Sequence, residues 1–299
     1  MSRFSIKDLE QLSGIKAHTL RVWEQRYGII TPQRTQTNIR FYDDEALKLI
    51  LNVALLNAHG FKISKIASMN DGEMQREVLS ITEDNSSYSD QIHALTIAMI
   101  DLDESRFEKI LSRNAIKLGF ENSMLRIIYP FLAKIGILWQ TGAVNPAQEH
   151  FISNLIRQKL IVAIDGQDES PSEKSPKFLL FLPEGEQHEI GLLFSDLIIR
   201  SRKNKSIYLG QSLPLEDLNT VYEIYEPEYV LTVLTSVPGA AAIQSFVDDL
   251  SKRFNKSTIL LSGYQVIGQD LQTPSNVYIM TRPEQLIQVA GGQFEEADF

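Results

Sequence analysis

Apolar positions in the first sixty residues fall at helical spacing. Ser5 stands before Ile6, Leu9 and Leu12, the pattern of a short capped helix, and Ser13-Gly14 makes a tight turn. A second helix is predicted from about Lys16 to Tyr27, with Leu20, Trp23 and Tyr27 at i, i+3 and i+7 on its core face. That spacing leaves His18, Arg21 and Gln25 on the opposite face, where such side chains can reach base edges or phosphates. The run GIITPQRTQTNIRFY then breaks the helical pattern before a helix capped at Asp43, which suits a two-stranded wing carrying Arg34 and Arg40.

Residues from about 69 to 89 are polar and poor in large apolar side chains, and read as a linker or a loosely packed turn. Four amphipathic segments follow, starting near Asp90, Glu104, Phe120 and Asn145 and separated by short connections, as in an antiparallel four-helix bundle. Pro130 inside the third predicts a kink near the preceding turn. After the Ser, Pro and charge-rich GQDESPSEKSP come five apolar runs, KFLLFL, SIYLG, YVLTVL, STILLS and VYIMT. They alternate with helices expected to start near Glu189, Leu215, Gly239, Asp270 and Pro283, the pattern of an open parallel sheet covered on both faces. The fold class is therefore multidomain α and α/β. A winged helix-turn-helix head is expected at 1–75, a four-helix-bundle cap at 76–166, and a flavodoxin-like or Rossmann-like parallel-sheet domain at 176–292.

Composition changes this picture in two places. The net charge of −9 is uneven: residues 1–42 hold seven Lys and Arg against three acids, so a head of +4 precedes a body of −13. A basic end on an acidic body is the footprint of a nucleic-acid-binding module joined to something else. The chain has no cysteine, which excludes disulfides, thiolate metal sites and a cysteine nucleophile. No uncharged apolar run reaches the roughly 18 residues of a membrane helix, and the N-terminus has no signal pattern, so a cytoplasmic protein without membrane contact is expected.

The candidate chemistry lies in EGEQHEIG, the loop leaving the first strand of the sheet domain. Ligands of open parallel sheets bind beyond the carboxyl ends of the strands. Here Glu186 stands two positions before His188, and Gly191 three after it. A carboxylate can fix an imidazole's tautomer and raise its basicity toward a transition metal, while the glycine lets a bulky ligand lie against the helix start. One histidine does not hold a bare ion, so the metal would arrive already chelated, as in a corrin. In the helical block Trp139, Glu149 and His150 stand out. Taken blandly they are a core anchor, a charge favoured by the helix dipole and a satisfied polar residue.

The head resembles the winged helix-turn-helix of MerR-type transcription regulators over roughly residues 3–70. Thr19, Leu20, Arg21, Trp23 and Glu24 match the core of that family's recognition helix, and Gly28, Pro32, Arg34, Arg40 and Tyr42 match its turn and wing. The resemblance makes His18, Thr19, Arg21, Arg26, Arg34, Arg40 and Tyr42 the expected contacts to double-stranded operator DNA.

Glu186-x-His188-x-x-Gly191 resembles the Asp/Glu-x-His-x-x-Gly loop of cobalamin-binding domains, in which the histidine becomes the lower axial ligand of cobalt. Thr232-Val233-Leu234 stands where that family has Ser-x-Leu, and Ser262-Gly263 where a Gly-Gly pair admits the nucleotide tail. Trp139 and Glu149-His150, with nine residues between them, resemble the signature of the helical cap in the CarH/LitR light-responsive repressors. That cap implies contacts of Trp139, Glu149 and His150 with the upper, adenosyl side of the cofactor. Gln140 departs from the histidine that close relatives often carry after the tryptophan.

The resemblance thus implies a non-enzymatic repressor whose oligomerisation, as dimer or tetramer, and operator binding depend on adenosylcobalamin and on light. A regulator of the same fold that needs no cobalamin, or senses another ligand or a protein, stays open. So does a corrinoid-carrying methyltransferase component, against which the basic head speaks.

Overall fold

The structure, a computed structural model, describes residues 3–35, 37–84, 88–140, 145–167, 171–239 and 241–293, without the side chains of 79–84 and 137–140. The chain divides into two compact units, 1–155 and 156–299.

The first unit opens with α1 (Ile6–Ser13), capped by a reciprocal pair: the Asp8 amide donates to Ser5 Oγ at 3.2 Å and the Ser5 amide to Asp8 Oδ2 at 2.6 Å. Gly14 ends it at φ 74°, a left-handed turn that costs glycine little. The second helix, α2 (Ala17–Tyr27), buries Leu20 and Trp23 against the head's core and leaves Tyr27 half-buried. A two-stranded antiparallel wing, β1 (Gln33–Arg34) and β2 (Arg40–Phe41), leads to α3 (Asp44–Ala58), which Asp43 caps as expected.

Beyond α4 (Ile63–Ile66) the polar stretch is not a linker: α5 spans Asp71–Asp84. Two signals account for the difference. Asn70 and Glu73 form a capping box with both bonds at 2.9 Å, and Met74 and Val78, one turn apart, are buried. The helical block then follows the predicted segments, with α6 (Tyr88–Ile100), α7 (Glu104–Leu118), α8 (Phe120–Ser123), α9 (Tyr129–Gln140) and α10 (Pro146–Asp165). Where Pro130 predicts a kink, the helix widens into a π turn at Met124–Ile128. Proline lacks the N–H for its i−4 carbonyl and its ring crowds that carbonyl; the wider turn relieves both. No helix among the described residues is long and apolar enough to cross a membrane.

The second unit holds a five-stranded parallel sheet: β3 (Lys177–Pro183), β4 (Lys205–Leu213), β5 (Tyr229–Val233), β6 (Thr258–Ser262) and β7 (Val277–Ile279), in spatial order β4-β3-β5-β6-β7. One face packs Leu179, Phe181, Val230 and Leu261 on Leu218 of α12 (Leu218–Tyr225) and on Ile243, Val247 and Leu250 of α13 (Ile243–Arg253). The alternate residues Phe178, Leu180, Leu231 and Leu260 are buried on the other face, where α11 (Ile190–Ser201) and α14 (Pro283–Ala290) meet. Burial on both faces explains why the strands read as unbroken apolar runs.

The helix expected near Asp270 does not form. Pro274 leaves room for about one turn, and the segment is tied down instead: Gln244 donates Nε2 to the Gln272 carbonyl at 2.9 Å and accepts the Gln272 amide at 2.9 Å. Strand order reverses between β3 and β5, so the loop after β3 stands at the sheet's switch point.

Candidate functional site

The β3–α11 loop is organised around one carboxylate. Glu186 is fully buried and accepts from the amides of Gln187 (3.0 Å), His188 (3.1 Å), Thr235 (3.0 Å), Ser236 (2.6 Å) and Val237 (3.1 Å). The Ser236 hydroxyl adds bonds at 3.1 and 3.2 Å. Burial would raise the acid's pKa, but the bonds from His188 and from the Ser236, His188 and Val237 amides outweigh it and hold it well below the usual carboxylate range. Glu186 is thus an anion that only accepts.

His188 Nδ1 lies 2.5 Å from Glu186 Oε1. Because the carboxylate only accepts, Nδ1 carries a proton, and in the neutral imidazole the lone pair is then on Nε2; the side chain is 58% exposed. The arrangement is that of an oriented, electron-rich imidazole at the mouth of the sheet.

The neighbouring positions are supported from β4 and from α10. Gln211 Nε2, near the end of β4, donates to the Gln187 carbonyl at 2.6 Å, and Ser212 Oγ accepts the Gly185 amide at 3.1 Å. Glu189, also buried, accepts from Arg157 Nε of α10 and from the Tyr208 hydroxyl of β4 at 2.9 Å. Sequence reasoning missed this second carboxylate and both its partners, which lie 32 and 19 positions away. The Glu189 side chain makes no cap bond to α11, although it occupies the N-cap position.

The remaining sheet residues fall on two sides. A Cβ at Gly191 would come 3.3 Å from Val233 Cγ1, so the space the glycine leaves is met by Val233. Val233 pairs with Ser262 in the ladder, whose hydroxyl donates to the Met280 carbonyl at 3.0 Å. Thr232 and Leu234 alternate with Val233 and lie on the opposite face. Thr232 is fully buried, and its Oγ1 has no hydrogen-bond partner among the described residues. Gly263, at φ 106°, crosses the end of β5 so closely that a Cβ would sit 2.4 Å from the Leu234 carbonyl oxygen; no other residue fits there.

In the helical block Glu149 and His150 occupy the first turn of α10, with His150 Nδ1 3.2 Å from Glu149 Oε2. Trp139 falls in the last turn of α9, and its side chain, like that of Gln140, lies outside the described residues. Among the described residues no cluster of three metal-binding side chains occurs.

In the head, His18, Arg21 and Arg26 are exposed along α2 and Thr19 is half-buried on it. Arg34 and Arg40 are exposed on the wing, where Arg34 Nη1 donates to Asn38 Oδ1 at 2.8 Å. Tyr42 departs from its expected role as a DNA contact. It is 1% exposed, bridges Phe4 in the core and donates its hydroxyl to Glu24 Oε2 at 3.1 Å. Its ring fills the base of the wing and its hydroxyl ties wing to α2.

Residues 4–73 match the family described as MerR HTH family regulatory protein, and residues 91–163, the helical block, match the family described as B12 binding domain. The chain is 27% identical to the HTH-type transcriptional repressor CarH of Myxococcus xanthus over 83% of each chain. It is 24% identical to the repressor CarA of the same organism over 86% of this chain and 85% of that one. Its fold resembles that of the monomethylamine corrinoid protein of Methanosarcina barkeri, with a TM-score of 0.52 and 12% identity over 66% of this chain and 95% of that one.

Proposed function

We propose that this chain, which carries a MerR-type helix-turn-helix segment and a B12 binding domain and is homologous to the CarH and CarA repressors, is a DNA-binding repressor controlled by adenosylcobalamin. The observation that carries the reading is the buried, fully bonded Glu186 beneath an exposed His188. A carboxylate pinned by five amides sets the tautomer and direction of one imidazole, which is what a preformed axial ligand for a chelated cobalt requires. The buried Thr232 hydroxyl, without a hydrogen-bond partner among the described residues, is a second observation that supports the reading.

Cobalamin, when bound, supplies a cobalt atom for this imidazole and, in its adenosyl form, a cobalt–carbon bond that visible light breaks. The chain's own residues do the rest. Glu186 holds the Nδ1 proton of His188 in place, so that Nε2 donates; Trp139, Glu149 and His150 are assigned to the upper, adenosyl side. His18, Thr19, Arg21, Arg26, Arg34 and Arg40 are assigned to DNA, with the cations neutralising phosphates. Assembly into a dimer or tetramer would present several heads to one operator and supply affinity that a single head lacks.

The test joins three readings on one sample: absorbance, size-exclusion elution and retention of a duplex from the protein's own upstream DNA, with adenosylcobalamin in the dark and after green light. A bound spectrum with a dark, DNA-retaining assembly that dissociates on illumination is expected. Bound cofactor with unchanged assembly removes the light switch and keeps the sensor. Absence of any bound cofactor refutes the reading.

A second reading, a regulator of this fold that takes no cobalamin, draws on Val233 against Gly191 and on the Ser262 bond to Met280, which close the space beside the helix start. Normal repression by a His188→Ala variant would establish it.

A further inference from the structure

Glu189 sits where a helix N-cap would ordinarily turn its carboxylate back to the first free amides or out to water. Here it does neither. The side chain makes no cap bond and is buried, held between Arg157 Nε and the Tyr208 hydroxyl. Arg157 belongs to α10 and Tyr208 to β4, so neither is part of the loop it grips. A buried carboxylate is costly unless charge-paired and hydrogen-bonded, and these two partners are what keep it inside.

The consequence falls on the residue before it. The Glu189 amide donates to the Gln187 carbonyl at 3.0 Å, and Gln211 holds that same carbonyl. His188 is therefore flanked by two immobilised carboxylates, Glu186 on one side and Glu189 on the other, with the intervening peptide held as well. We propose that Arg157 and Tyr208 are positioning residues for His188: by holding Glu189 inward they fix the peptide that aims the imidazole.

Without Arg157 the Glu189 carboxylate turns toward water, the His188–Glu189 peptide turns with it, and the imidazole leaves its 2.5 Å contact with Glu186. The proposal rests on the reading of His188 as a cobalt ligand.

The experiment uses full-length protein labelled with 15N-histidine and loaded with cob(II)alamin, read by electron paramagnetic resonance. A 15N axial ligand splits the cobalt lines into doublets, whereas the cofactor's own 14N base gives triplets, so the readout reports ligation and not stability. Wild-type protein is expected to show doublets. Arg157→Gln should lower the ratio of histidine-bound to histidine-free cobalt by about tenfold or more, and Tyr208→Phe should lower it less. Circular dichroism and thermal midpoints establish that each variant is folded. If Arg157→Gln does not fold, Tyr208→Phe carries the test. Full doublets in a folded Arg157→Gln or, in that case, in Tyr208→Phe would overturn the positioning role and leave the cobalamin reading standing. Wild-type protein that binds no cobalamin, or binds it without doublets, overturns the ligand assignment and the proposal with it.

Discussion

Two of the carboxylate–histidine pairs in this protein, one in the sheet domain and one in the helical block, are built in opposite ways. Glu186 and His188 are two residues apart, yet their geometry depends on amides at 235–237, on Gln211 and on the loop's own backbone. Glu149 and His150 are adjacent in the first turn of α10, 3.2 Å apart, with side chains 30% and 74% exposed. The first pair has a fully buried acid whose every lone pair is used, so its histidine has one orientation. The second is an exposed contact of small energetic weight, and its histidine can turn. Preorganisation therefore comes from distant backbone closing on the acid, since both pairs contain the same two side-chain types.

The largest effect that separates them is expected from His188→Ala. Loss of the aimed donor should weaken cobalamin binding by about 100-fold or more, read by absorbance titration, as removal of a first ligand exceeds the 10- to 100-fold typical of its supporting partners. Retention of wild-type affinity would make the two pairs equivalent.

Gly263→Ala strikes the frame of the first pair without touching either member. The added methyl would meet the Leu234 carbonyl at 2.4 Å in a backbone at φ 106°, displacing the strand end that leads to the amides of 235–237. A loss of about 2–4 kcal/mol in denaturant unfolding is expected, with weaker cobalamin binding following it. An alanine variant as stable as wild type would show that the crossing yields easily.

Glu186→Gln sharpens the comparison through pH. The Glu186 pKa lies well below its usual value, so the bonded anion stabilises the fold fully above the unfolded value of about 4.3 and progressively less as pH falls from there toward the folded value. The glutamine variant should show a flatter acid limb of the stability curve, and cobalamin binding weaker by about 10- to 100-fold at neutral pH. Glu149→Gln should change neither. Identical acid limbs for wild type and Glu186→Gln would mean that the buried carboxylate contributes nothing as an anion.

How far this contrast was legible in the sequence follows from its physics. The five strands and the spacing of Glu186, His188 and Gly191 are local patterns, and they appear where the sequence places them. Pro130 announced a disturbed turn, although not that the helix would resolve it by widening. The box of Asn70 and Glu73 was present in the sequence and outweighed the polarity that suggested a linker. Tyr42 was misassigned because an aromatic beside a basic wing reads equally as a DNA contact or as the wing's core, and only burial decides. Arg157, Tyr208 and the Thr235, Ser236 and Val237 amides that help pin Glu186 had no local signal, since each reaches its carboxylate across at least 19 positions.

The smallest effect is the one that tests whether exposure means adaptability. His150→Ala removes a side chain that is 74% exposed and, among the described residues, paired with a neighbouring carboxylate. Dark binding of adenosylcobalamin should change by less than about threefold, because such a surface pair contributes little. After illumination the same substitution should matter more, His150 being the donor we propose in place of the histidine that Gln140 replaces after Trp139. The photoproduct of wild-type protein would then show a second histidine nitrogen that the alanine variant lacks. If His150→Ala instead weakens dark binding as much as Glu186→Gln does, the second pair is as fixed in function as the first, and exposure in the first turn of α10 is no measure of its freedom.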